Sequence, residues 1–180
     1  MFEQNKYITE IYKKAWLELE KSTPLSGDCG VICSKKCCMG TDSDGMLLFP
    51  GEESLYKDSG SWYTIIDSGV TLPGNIKIKL FTCIGNCQRE LRPLSCRIFP
   101  LMPYINSDGR IDLRFDLRGI GICPLISNPD LYPIDEGFVD NVHLAFSHLV
   151  YEKPVIKFLK FLSEQHDEIE ALLRKFYSNA

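Results

Sequence analysis

The sequence predicts an α+β fold: a single small domain with helices at both ends, a short antiparallel sheet and a cysteine-rich, metal-binding loop region. Three observations predict it. Apolar residues recur every three or four positions near both termini, the stripe of a helix packed on one side. In the middle, short stretches alternate apolar and polar residues between turn motifs, as half-buried strands do. Between the first helix and the first strands lies a run, residues 28–45, with few large side chains and four cysteines. Such a run buries little apolar area, so something other than a core must order it. A chain of 180 residues fits one domain spanning 1–180, with its metal-motif region at 29–123.

The first helix is predicted over Asn5 to Lys21, where Ile8, Ile11, Tyr12, Ala15, Trp16 and Leu19 share a face, and Ser22-Thr23-Pro24 with Gly27 ends it. Leu47 to Pro50 is a short apolar piece, and Glu52 to Ser59 reads as one or two helical turns. Strands are predicted at Trp62 to Ile66 and Ile76 to Thr82, with Leu72-Pro73-Gly74-Asn75 as the turn between them. Arg97 to Ile105 and Arg110 to Leu117 flank Asn106-Ser107-Asp108-Gly109, a hairpin turn. In the second arm Ile111, Leu113, Phe115 and Leu117 alternate with Asp112, Arg114 and Asp116, which predicts a charged face in water. The C-terminal helices, residues 137–178, follow a Pro-punctuated connection. One carries Val139, Val142, Phe146, Leu149 and Val150. The other starts at Lys153-Pro154, where Pro suits a helix start, and carries Val155, Phe158, Leu159, Leu162, His166, Ile169, Leu173 and Phe176.

Composition narrows the function classes. Apolar residues are 44% of the chain, enough for a real core. Twenty Lys and Arg against 24 Asp and Glu leave a net charge of −4, so no global positive field draws the chain to nucleic acid or an anionic membrane. The opening MFEQNKYITEIYKK lacks the apolar stretch of a secretory leader, and no run approaches the roughly 18 apolar residues of a membrane helix. The expectation is a cytoplasmic protein. There thiols stay reduced, and clustered cysteines bind metal or do redox work. The expected partners are a metal ion and a protein partner or protein substrate, with no nucleic acid and no membrane.

Eight cysteines fall as Cys29-x3-Cys33-x3-Cys37-Cys38, Cys83-x3-Cys87, Cys96 and Cys123. Pairs separated by a few residues let one loop or helical turn aim two sulfurs at an ion roughly 2.3 Å from each. The clusters converge if the strand ending at Thr82 packs beside the first loop. Eight sulfurs fill two four-sulfur sites, or one site with bystanders; the spacing leaves both open. Adjacent Cys37 and Cys38 are expected to point differently, so that each serves a different centre or one is spare. Cys123 reads equally as a small buried hydrophobe. Four thiolates around Zn²⁺ or around a [4Fe–4S] cluster leave a net dianion, which wants cations nearby. Lys35 and Lys36 sit inside the first cluster and Arg89, Arg92 and Arg97 surround Cys96; Arg92 and Arg97 are the expected supporting shell around the sulfurs.

The cysteine run ending in Cys37-Cys38, the Cys83-x3-Cys87 pair and above all Leu91-Arg92-Pro93-Leu94-Ser95-Cys96-Arg97-Ile98-Phe99-Pro100 resemble the CxxCxxCC (YkgJ-like) family of zinc- or iron-chelating proteins, often labelled Fe–S oxidoreductases. The first cluster spaces its cysteines by three and three, where the family name has two and two. The resemblance implies Cys29, Cys33, Cys37, Cys38, Cys83, Cys87 and Cys96 as the chelating set, with Cys123 as its tail, around zinc or an iron–sulfur cluster in one or two centres. Part of that family is labelled flagellin lysine N-methylase, which implies an S-adenosylmethionine-dependent protein lysine N-methyltransferase. The sequence has no glycine-rich loop for that donor, and Cys37 falls one position late for the radical C-x3-C-x2-C motif. The expected function is therefore a cysteine-thiolate metal-binding protein, with Fe–S redox or electron transfer and lysine methylation as alternatives. No catalytic residue is assigned.

The remaining chemistry-bearing residues read as ordinary. His143 and His148, five apart, do not share a helical face, and His166 falls on the apolar side of the last helix; core or surface roles are expected for all three. Asp42 and Asp44 start like a calcium loop but lack its closing Glu, so this is a turn.

Overall fold

The computed structural model describes residues 2–39, 44–56, 59–85 and 87–178. Helix α1 (Phe2–Glu18) buries Ile11, Tyr12 and Ala15 on one face, and Leu19 extends that face just beyond its end. It packs on α5 (Glu136–Ser147), whose Phe138, Val142, Ala145 and Phe146 point inward. Asp135 caps α5 by accepting the Phe138 N–H at 3.0 Å. Helix α6 (Lys153–Ser178) adds Val155, Phe158, Leu159 and Leu162 to the same core, with Pro154 in its first turn as expected. Each fully buried Leu or Phe here contributes about 1.5–3 kcal/mol. Among the described residues, no helix is long and apolar enough to cross a membrane.

The α+β architecture is as expected: two small antiparallel sheets accompany these helices. The first has the order β1-β3-β2, from β1 (Gly45–Leu47), β2 (Tyr63–Leu72) and β3 (Ile76–Cys83). Leu72 pairs with Ile76, so the expected Pro-Gly-Asn turn closes this hairpin, with Gly74 and Asn75 both at positive φ. Strand β2 runs six residues further than the Trp62–Ile66 pattern suggests. Its pairing is irregular between Asp67 and Thr71, where the Asp67 carboxylate accepts the Gly69 N–H at 2.9 Å. Gly45 lets β1 close on β3: a Cβ there would lie 2.2 Å from the Phe81 carbonyl oxygen.

The second sheet pairs β4 (Leu101–Ile105) with β5 (Ile111–Phe115) around the expected Asn106–Gly109 turn. Two expectations are corrected here. Arg97 to Ile105 is not one extended arm, because Leu94–Ile98 forms the short helix α3 and the strand starts only at Leu101. The Cys96 and Arg97 N–H groups both bond the Pro93 carbonyl, at 2.9 and 3.0 Å, which wraps the segment into a turn. Nor is the second arm charged toward water throughout. Asp116 is buried, because the strand stops at Phe115 and Asp116 caps the turn Leu117–Gly119, bonding Arg118 at 2.6 Å.

Two further short helices, α2 (Gly30–Cys33) and α4 (Pro124–Ser127), carry or flank cysteines. A separate aromatic group, Leu48, Trp62 and Phe81 with Tyr56 and Tyr63 against it, backs Cys83 and Cys87. Tyr63 stacks on Phe81 with ring centroids 5.0 Å apart. Asp42 lies outside the described residues.

Candidate metal centre

Three stretches of chain bring their cysteines to one place. Helix α2 and the turn Lys36–Cys38 are joined by Ser34 and Lys35, both left-handed at φ 51° and 59°, which reverses the chain and sets Cys37 and Cys38 on the turn. Strand β3 ends at Cys83, its neighbour Ile84 bonding the Trp62 carbonyl at 3.2 Å, and the loop beyond supplies Cys87. Gly85, at φ 80°, passes so close to the Cys38 carbonyl that an added Cβ would lie 2.9 Å from its oxygen. Helix α3 supplies Cys96 from the third stretch.

Cys29, Cys37, Cys38, Cys83, Cys87 and Cys96 line a cavity of about 460 Å³ together with Arg92. Cys33 and Cys123 open instead onto a neighbouring recess. All eight are free thiols. Their mutual electrostatics divide them. Burial pushes the Cys96 thiol well up, and Cys38, Cys83 and Cys87 push it further. The Cys87 thiol is raised first by its hydrogen bond with Cys38 and then by burial, against the pull of Arg92. Cys29 is raised by burial and then by Cys33, while Cys123 is raised by burial with a contribution from Cys33. One group is therefore Cys38, Cys83, Cys87 and Cys96, with Cys37 beside Cys38, and the other is Cys29, Cys33 and Cys123. Cys29 also feels Cys38, so the groups adjoin. The Cys37 and Cys38 sulfurs lie 3.9 Å apart, side by side rather than diverging as expected.

Among the described residues, no three cysteine sulfurs lie mutually within 4.8 Å. The donors are soft thiols, which suit zinc or an iron–sulfur cluster and not a hard cation. A cation meets one of the sulfurs directly, since Arg92 Nε donates to Cys87 Sγ at 3.0 Å.

The other expected cations are placed differently. Arg97 is buried at 8% exposure and spends its guanidinium on backbone: Nε donates to the Arg92 carbonyl at 2.8 Å, and Nη2 to those of Arg89 and Glu90 at 3.1 and 2.9 Å. Its other face lies 4.6 Å from the Trp16 ring centroid. Arg97 thus acts one step back, holding the turn that presents Arg92. Arg89 donates to the carbonyls of Glu20 and Ser22. Lys35 and Lys36 are exposed. Arg97→Lys keeps the charge but loses the planar fork, and is expected to cost about 1–3 kcal/mol of stability, read as a lower urea midpoint.

Sequence reasoning missed Glu52. It is wholly buried, with Oε1 accepting from Trp16 Nε1 at 2.9 Å and from the Leu94 N–H at 2.6 Å, and Oε2 from the Phe49 N–H at 3.2 Å. Burial raises its carboxyl to about 7, opposed by those bonds and by Arg97. Glu52 therefore caps the helix that carries Cys96 and ties it to α1. In the sequence Glu52 opens a stretch that reads only as one or two helical turns, and a short helical turn does form over Glu52–Leu55. No local pattern points to this role, because the Trp16 and Leu94 groups it holds lie 36 and 42 residues away in the chain.

His143 is exposed, and His148 bonds Glu18 at 3.1 Å; neither meets a cysteine. Comparison with known proteins finds no family model, curated protein or solved structure that matches the chain.

Proposed function

We propose that the chain is a metal-binding protein whose loops hold a thiolate-ligated centre, with Cys38, Cys83, Cys87 and Cys96 as its ligands. The carrying observation is the convergence of cysteines from three distant stretches on one cavity, with Arg92 bonded to a sulfur there. Cys29, Cys33 and Cys123 form the adjoining group that a second centre would use. Eight unpaired thiols suit a reducing compartment such as the cytoplasm.

Spacing bears on the metal. Tetrahedral Zn²⁺ with sulfurs at about 2.3 Å requires them about 3.8 Å from one another. Among the described residues no three of these sulfurs lie mutually within 4.8 Å, although Cys38 and Cys87 are hydrogen-bonded, and this looser set would suit a polynuclear iron–sulfur cluster better than a single ion. When bound, such a cluster supplies one-electron redox chemistry. The chain's own contribution is to aim the four sulfurs, offset their charge through Arg92, and wall the site with Trp62 and Phe81, which limits water and tunes the potential. Protein purified without oxygen is expected to be brown and to contain iron and acid-labile sulfide in similar amounts, with a cluster doublet in Mössbauer spectra. Colourless protein with stoichiometric zinc would replace the cluster by a mononuclear site. Metal-free protein that takes up neither would end the reading.

The cavity also favours a second reading, lysine methylation. Its volume of about 460 Å³ falls within the usual range of small-molecule sites, directly beside the sulfurs. S-adenosylmethionine would then raise the melting temperature of the metal-loaded protein; no change at millimolar donor removes this reading.

A further inference from the structure

A second group of ligating side chains lies on α6, far from any cysteine in its contacts. His166 Nδ1 and carboxylate oxygens of Asp167 and Glu170 lie mutually within 4.8 Å, and among the described residues this is the one trio of His, Cys, Asp or Glu side chains so close. The spacing explains the grouping, since positions 166 and 170 stack on one helical face and 167 adjoins them. His166 is 6% exposed, and its Nδ1 is buried with no hydrogen-bond partner. That nitrogen faces the acids: Asp167 Oδ1 is 3.7 Å away, too far for a hydrogen bond and on the side where a bound ion would sit. A buried imidazole nitrogen left unpaired beside two carboxylates is unusual, because buried polar atoms almost always find partners.

We propose that His166, Asp167 and Glu170 form a site for a first-row divalent cation, bound through one imidazole nitrogen and two carboxylate oxygens. Mixed nitrogen and oxygen donors suit Mn²⁺, Zn²⁺ or Ni²⁺ and differ in kind from the thiolate set. Three protein ligands leave further positions to water. The surroundings hold the acids ready. The Tyr104 hydroxyl donates to both Asp167 oxygens, at 2.9 and 3.1 Å, and its ring packs edge-on against His166 with centroids 5.5 Å apart. Two cations balance the carboxylates. Arg114 Nη1 is 4.0 Å from Asp167, and Arg174 Nη2 is 2.9 Å from Glu170. Both arginines are at least one-third exposed, and Arg114 also stacks over the Tyr104 ring, 3.4 Å from its centroid. Nothing in this site rests on the thiolate centre, and a probe ion that avoids sulfur keeps the two apart.

The test uses the full chain with its thiolate metal as purified, and Mn²⁺ alone as the added ion, because thiolates disfavour it. The chain has three histidines, so their ring nitrogens can be followed individually in a ¹⁵N-labelled sample. Substoichiometric Mn²⁺ is expected to broaden the His166 ring signals while those of His143 and His148 stay sharp. Asp167→Asn and Glu170→Gln, both at partly or fully exposed positions, are each expected to weaken Mn²⁺ binding at least fivefold, read from the electron paramagnetic resonance signal of the free ion. Unbroadened His166 signals, or a loss below fivefold in both variants, would overturn the site.

Discussion

Glu52→Ala is expected to destabilise the protein by about 3–6 kcal/mol, since three donors lose their acceptor at about 1–3 kcal/mol each, reduced by partial relaxation. The donors are the Leu94 and Phe49 N–H groups and Trp16 Nε1, which lie on three separate pieces of chain. A loss of that size is a large part of a typical total stability of about 5–15 kcal/mol. Glu52→Gln keeps an oxygen for Leu94 and Trp16 and is expected to cost much less. It also isolates a pH effect. The folded carboxyl sits at about 7 against an ordinary 4.5, so the fold favours the protonated form. The associated stabilisation is complete below about pH 4.5, fades as pH rises toward 7 and is absent above it. Its full size is about 3 kcal/mol, because each factor of ten in proton affinity is worth about 1.4 kcal/mol. Urea midpoints from pH 4.5 to 8 should therefore fall in the parent relative to Glu52→Gln; parallel profiles would show that Glu52 does not titrate in this way.

Cys38→Ser and Cys83→Ser are each expected to lower bound metal per chain at least tenfold, while Cys33→Ser leaves the first centre filled. A serine oxygen is a hard, weakly acidic donor and does not replace a thiolate. Cys38 and Cys83 belong to the group around Cys96, whereas Cys33 opens onto the neighbouring recess. Elemental analysis with visible absorption reads the outcome. Equal loss in all three variants would mean that the two sulfur groups act as one. The fold should survive each change, because the main core draws on α1, the strands, α5 and α6 and contains no cysteine.

Periodicity makes the helices readable in the sequence, and turn residues make the two hairpins readable, since both are local patterns. Ile8 to Leu19 and Val155 to Phe176 repeat at helical spacing, and the Leu72–Asn75 and Asn106–Gly109 turns carry residues suited to tight reversal. The cysteine grouping was half readable. Spacing within each cluster is local, but which sulfurs share a neighbourhood depends on β3 bringing position 83 beside position 38. Helix α3 was hidden because its start is capped by a side chain 42 residues earlier in the chain. The sequence places His166 on the apolar side of the last helix, partly buried, and it is buried more fully than that. The acids that meet its nitrogen were invisible in a reading that tracked only the apolar stripe.

The cysteine-bearing segment is fastened at each end to parts that stand without it. On one side Leu19 is packed in the main core, and on the other β1 is paired to β3. Losing the ion would therefore slacken one arm and leave the rest standing, unlike small zinc domains that collapse when stripped. If the proposed centre is present, such a chain would be emptied and recharged without passing through a denatured state, as a cluster that oxygen destroys would require.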